Sequence, residues 1–157
     1  MNRHTTVTRR GHVAATANEL LAALASTEGF TRINPHRTED PDLIITPTGP
    51  ASGVGSGFAF RGKNGKGTQT VSEVTTTEVV HDIDMGAMGR SRQRIIATPS
   101  GAGGCDVEWS MTLDAGWNPI LRIFGLFAEK VLGPTLETGL RNLAAAEWPA
   151  HAASSTP

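Results

Sequence analysis

The sequence predicts an α+β domain: a curved antiparallel β-sheet wrapped around a long C-terminal helix, with two short helices after strand 1. Three observations predict it. Turn chemistry cuts residues 42–114 into short segments, several of them with alternating polarity. A capping signal at Thr16 opens a short helical stretch directly after one N-terminal strand. Pro119 opens an apolar segment at helical spacing, long enough to cover a sheet.

The elements follow in order. Thr5 to Val13 is rich in Thr and Val and reads as a strand. Thr16-Ala17-Asn18-Glu19 matches a capping box, and Leu20, Leu21 and Leu24 continue at helical spacing to about residue 25. Ser26 to Phe30 is a second short helical turn. Asn34-Pro35 ends it, because a residue before proline is pushed out of the helical region. Strands are expected at 42–46, 57–62, 67–74, 79–85, 90–98 and 105–114. Asn64-Gly65 is the strongest tight-turn dipeptide among them. One helix is expected from Asn118-Pro119 to about Glu147, kinked near Lys130 by Gly133-Pro134.

Composition bounds the function. The chain has 157 residues, enough for one domain with a real core, assigned to 1–148. Residues 149–157 have little to bury and read as a disordered tail. A net charge of −1 argues against nucleic-acid binding and against a polybasic membrane binder. Gly (18) and Pro (9) make up about 17 % of the chain, which favours a turn-rich protein with strands over a helical bundle. Cys105 is the single cysteine, so neither an internal disulfide nor a thiolate cluster can form. The N-terminal residues lack an apolar h-region, and a cytoplasmic location is expected. The most apolar stretch, 120–132, is interrupted by Arg122, Glu129 and Lys130, so no membrane span is expected.

Strand parity sorts the side chains. Val79, His81, Ile83 and Met85 share one face of their strand, and Val80, Asp82 and Asp84 share the other. Pairing Asp84 with Arg90 and Asp82 with Arg92 sets opposite charges across from one another. The same register sets His81 beside Gln93. Val107, Trp109, Met111 and Leu113 extend the apolar face, and the charged ladder becomes the solvated one. Ile120, Phe124, Phe127 and Val131 are the helix residues expected to cover the apolar face. A single helix over a curved sheet leaves a wedge, so a cavity is expected.

The chain resembles the START-like helix-grip proteins, with a Bet v 1-like fold. Within them it is similar to the polyketide cyclase/dehydrase group of the SRPBCC superfamily. The resemblance rests on element order, the Thr16 box, Ile33-Asn34-Pro35 and the glycines from Gly53 to Gly57. Gly67-x-x-x-Val71-x-Glu73, Val107-Glu108-Trp109 and Gly139-Leu140-x-x-Leu143 carry it further. It implies a deep hydrophobic pocket between sheet and C-terminal helix. Members bind lipids, sterols, polyketides or aromatic metabolites, some cyclise or dehydrate polyketides, and some act as co-chaperones. The fold itself does not choose among these.

The candidate site follows. His81 on the inner face, with Glu73 beside it if its strand keeps the parity of Val71, would serve as general acid/base for enolisation or dehydration. Two other readings stay open: His81 contacts a polar ligand group, or it is a satisfied core histidine. An alternative register turns Glu73 outward. Ligand contacts are expected from Phe58, Phe60, Val71, Ile83, Gln93, Ile95, Trp109, Met111, Trp117 and Phe124. The Gly53–Gly57 loop lacks the Lys-Ser/Thr ending of a phosphate loop and is read as a mobile loop at the pocket mouth. No metal, nucleotide or flavin cofactor is implied. The expected partner is a small hydrophobic ligand, with the chain a monomer or homodimer. The expected function is ligand binding with cyclisation or dehydration. The alternatives are a non-catalytic carrier or sensor, and a co-chaperone-type interaction module.

Overall fold

Residues 4–63, 65–114 and 119–148 are described by the computed structural model. Strand β1 spans His4–Val13. Helices α1 (Ala17–Leu24), α2 (Thr27–Ile33) and α3 (Pro35–Glu39) follow it. Six strands come next: β2 (Ile44–Thr48), β3 (Gly57–Gly62), β4 (Gly65–Val74), β5 (Glu78–Asp84), β6 (Arg90–Pro99) and β7 (Cys105–Asp114). Helices α4 (Pro119–Gly125) and α5 (Ala128–Ala145) close the described chain. Every strand pair is antiparallel, and the sheet order is β1-β7-β6-β5-β4-β3-β2.

Local chemistry starts each of the first three helices. The Thr16 hydroxyl accepts from Glu19 N at 3.1 Å, and Ser26 Oγ accepts from Gly29 N at 3.0 Å. Asn34 does more than end α2. Its Oδ1 accepts from His36 N at 2.9 Å, and Pro35 takes the first helical position, so a third short helix follows where sequence reasoning expected two.

The expected single helix over 119–147 is instead two helices. The break falls at Leu126 and Phe127, not near Lys130. Leu126 N donates to Ile123 O at 3.0 Å, a tightened turn that ends α4 beside Gly125. Pro134 stays inside α5. The carbonyl that its ring crowds belongs to Lys130, in the irregular first turn of α5. This break changes the helical phase. Ile120, Phe127 and Val131 are exposed, and α5 instead buries Ala128, Leu136, Gly139, Leu140 and Leu143.

The register of β5 and β6 matches the charge argument: Asp84 opposes Arg90, Asp82 opposes Arg92, and His81 opposes Gln93. Asp82–Arg92 (3.0 Å), Asp84–Arg90 (3.4 Å) and Glu78–Arg94 (3.1 Å) are exposed or half-exposed pairs on the outer face. On the inner face the side chains fall into cross-strand rows. One row runs Val71, His81, Gln93, Met111, Val7. The next, toward the cavity, runs Phe58, Gln69, Ile83, Ser91, Leu113, Thr5. On the other side lie Val79, Ile95, Trp109 and Arg9.

Two devices seat α5 on this face. Gly139 lies against the indole of Trp109, closer than any larger residue would permit. Arg9 reaches from β1 to Glu129 (2.8 Å) and Glu137 (3.0 Å), one at each side of Gly133. These carboxylates hold the guanidinium pKa above its ordinary value.

Candidate functional site

The inner face divides into a closed half and an open half. In the closed half, α1 and α2 cover the sheet. The ring of Phe30 lies 5.1 Å from His81 and 6.3 Å from Trp109, centroid to centroid. Beneath it runs a continuous hydrogen-bond chain. Trp109 Nε1 donates to Gln93 Oε1 at 3.0 Å. Gln93 Nε2 then donates to His81 Nδ1 at 3.2 Å, which leaves the proton on Nε2 to be donated to Leu24 O at 3.0 Å. That carbonyl is the last of α1, one that the helix itself cannot satisfy. Burial pushes the His81 pKa down to about 4, against smaller raising effects from the Leu24 carbonyl and Asp82. His81 is therefore neutral near pH 7, with both ring nitrogens engaged.

The open half holds a cavity of about 710 Å³. Its floor is the row of Phe58, Gln69, Ile83, Ser91 and Leu113, extended by Phe60, Met85 and Met111. One wall is α3 and the segment after it, with Asn34, His36, Glu39, Asp40 and Leu43. The other is the start of α5, with Val131, Leu132, Pro134 and Thr135. Thr135 Oγ1 donates to Glu39 Oε1 at 2.9 Å and joins the two walls. Asn142 Nδ2 donates to Ile33 O at 3.0 Å and strengthens the same clasp. Met88, Ile120 and Val131 line the cavity and are also exposed, which places the mouth between the 86–88 turn and the α4–α5 segment.

The expected site residues fall on both sides of this division. Phe58, Phe60, Ile83 and Met111 line the cavity. Val71, His81, Gln93, Ile95 and Trp109 are buried in the packed half and are not among the described wall residues. Trp117 lies outside the described residues, as do the 149–157 tail and Asn64, and the Phe124 side chain is not described.

Glu73 departs from the expected pairing. Val71 faces His81, but the next register pair is Glu73 with Val80, so Ser72 is an extra residue, a β-bulge. Ser72 Oγ donates to Val80 O at 3.3 Å there. The bulge reverses the parity after Val71, and Glu73 is exposed on the outer face, away from His81. The glycine loop departs as well. Gly53 N donates to Ala25 O at 2.8 Å and Gly55 N to Val71 O at 2.9 Å. It is tied to the closed half rather than hung at the mouth.

Sequence reasoning missed the α3 wall and Gln69. His36 lies on that wall, and its Nδ1 is 3.9 Å from Glu39 Oε2. Desolvation lowers the His36 pKa, partly opposed by Glu39. Asp40 is buried, its two oxygens accepting from Asp42 N (3.2 Å) and Lys63 N (2.9 Å). The Asn34-Pro35 start signal was the available clue to α3. Gln69 carried a weaker one, a polar residue with the parity of Val71 on an otherwise apolar face. Cys105 is fully buried, and burial pushes its thiol pKa up, which keeps it from nucleophilic work. Among the described residues no helix is long and apolar enough to cross a membrane.

Solved structures share this architecture. The di-domain ARO/CYC StfQ from the steffimycin biosynthetic pathway superposes with a TM-score of 0.66 at 11 % identity, covering 98 % of this chain and 52 % of that one. This chain thus spans about half the length of that di-domain protein. Norcoclaurine synthase from Thalictrum flavum matches with a TM-score of 0.62 at 13 % identity, over 98 % of this chain and 88 % of that one. A solution structure from Thermobifida fusca gives 0.66 at 20 % identity, over 88 % and 90 %. No curated protein matches the sequence. At these identities the structures establish the helix-grip, Bet v 1-like fold alone. The sequence itself goes further: the model of the family described as polyketide cyclase / dehydrase and lipid transport matches residues 4–146. With sheet, closing helix and cavity in place over that same span, the chain belongs to the polyketide cyclase/dehydrase and lipid transport family.

Proposed function

We propose that the protein binds a small hydrophobic metabolite, a lipid, polyketide or aromatic compound, in the cavity between the sheet and α5. One observation carries the reading: a space of about 710 Å³ lined on its sheet side by Phe58, Phe60, Ile83, Met85, Met111 and Leu113, and open at a mouth where Met88, Ile120 and Val131 stand among charged residues. The cavity also weighs against an interaction module with a filled core. In this reading His81 orders the closed end, because both nitrogens already serve the fold.

A second reading, acid/base cyclisation or dehydration of a bound poly-ketone, is supported by the family description and by His36 and Glu39 on the wall. A neutral imidazole next to a carboxylate is a suitable proton acceptor. Native mass spectrometry with organic extraction tests binding directly. A retained apolar compound supports it and supplies a substrate for turnover assays against His36→Ala. An empty protein that no fatty acid, sterol or aromatic polyketide stabilises overturns the binding reading.

A further inference from the structure

Gln69 is the odd residue of the cavity floor. Its register partners on the two flanking strands are Phe58 and Ile83, both apolar and both lining the same space. The side chain is only 3 % exposed. Its Nε2 is the one buried side-chain nitrogen or oxygen among the described residues without a hydrogen-bond partner. The other two inner-face amides and rings of this region, Gln93 and His81, are fully used by each other, by Trp109 and by Leu24.

A buried donor without an acceptor is costly, and a fold that needed only packing here would do better with leucine or methionine. We propose that Gln69 is the ligand-orienting residue of the cavity: on a rotation of its side-chain amide toward the space, Nε2 donates to a carbonyl oxygen of the bound hydrophobe. The class of ligand is thereby narrowed. It is an apolar molecule that carries a hydrogen-bond acceptor, such as the carbonyl of a ketone, quinone or ester, with that oxygen lying on the sheet floor between Phe58 and Ile83. Hydrocarbon surface fills the remainder of the space. The inference rests on the cavity being the ligand site.

Two probes of matched shape test it: 2-acetylnaphthalene and 2-isopropenylnaphthalene, in which CH2 replaces the carbonyl oxygen. Dissociation constants are measured by NMR titration for the wild type, Gln69→Met and Gln69→Leu, with the Gln69 side-chain amide resonance followed in the wild type. The expected result is that either substitution shifts the ketone-to-hydrocarbon preference about fivefold toward the hydrocarbon. The ketone alone should move the Gln69 amide resonance downfield. Thermal midpoints of both variants should equal or exceed the wild type, which a merely structural glutamine would not permit. An unchanged preference with both probes bound overturns the role of Gln69 and leaves the cavity reading standing. Failure of both probes to bind the wild type overturns the cavity reading, and this inference with it.

Discussion

His81 Nε2 donates to the carbonyl of Leu24 at 3.0 Å, tying the middle of β5 to the last turn of α1. The bond crosses 57 residues of chain and satisfies a helix-terminal carbonyl that water cannot reach. It also requires a neutral imidazole that carries its proton on Nε2. Acid should therefore attack the fold here. The folded-state pKa near 4 lies below the ordinary value of 6.5, so the unfolded chain takes up the proton first. The stability tied to neutral His81 is intact above pH 6.5 and is lost as pH falls from 6.5 to 4, by about 3 kcal/mol. Urea unfolding at pH 7 and pH 4.5 checks this. His81→Gln should lose part of the stability at pH 7 yet show a shallower fall with acid, and equal slopes for the two proteins would refute the assignment.

Two helix glycines should respond oppositely to alanine. A methyl group on Gly139 would overlap the Cζ3 and Cη2 atoms of Trp109, a rigid ring buried completely. A methyl group on Gly133 would meet only the far end of Arg9, which can swing aside. Gly139→Ala should destabilise by about 1–3 kcal/mol through overpacking. Gly133→Ala should be neutral or stabilising by up to about 1 kcal/mol, since alanine is the better helix former. Chemical denaturation of both variants decides, and a reversed order would refute the seating of α5.

Filling the cavity should remove binding without removing the fold. Ser91 projects into the space from the middle of its floor. Ser91→Phe should retain the wild-type circular dichroism spectrum and weaken any extracted ligand at least tenfold. Unchanged affinity in a folded variant would locate the ligand elsewhere.

Glu73 offers a contrast to the cavity residues. It points outward beyond the bulge at Ser72, with no part in the His81 chain. Glu73→Gln should leave affinity, turnover and stability within about 0.5 kcal/mol of wild type. A large loss of turnover would show that β4 follows the unbulged register.

Cys105 should be silent toward thiol reagents in the folded protein. It is fully buried and its thiolate is disfavoured by burial and by Asp106. Ellman's reagent should label it only at the rate of unfolding, with full labelling in denaturant. Rapid labelling of the native protein would contradict its place at the head of β7.

Periodic, local signals account for what the sequence determined by itself. Alternation along β5, β6 and β7 and the opposed charges of Asp82 and Asp84 with Arg90 and Arg92 were enough to set register and to place His81 beside Gln93. The Thr16 and Ser26 signals marked helix starts, because caps act within one turn, whereas Asn34-Pro35, read as a helix end, also opens α3. Three decisions belonged to the tertiary structure. A single extra residue at Ser72 turned Glu73 outward, and no propensity marks a bulge of this kind. The break after Gly125 rephased α5, so that Leu136, Leu140 and Leu143 face the core while Val131 opens to the mouth. Whether a polar inner-face residue meets a partner or a cavity depends on what lies above the sheet. Phe30 and α1 close over His81, whereas Gln69 lies beneath the space that α3 and α5 leave open, and that distinction exists only once distant segments pack together.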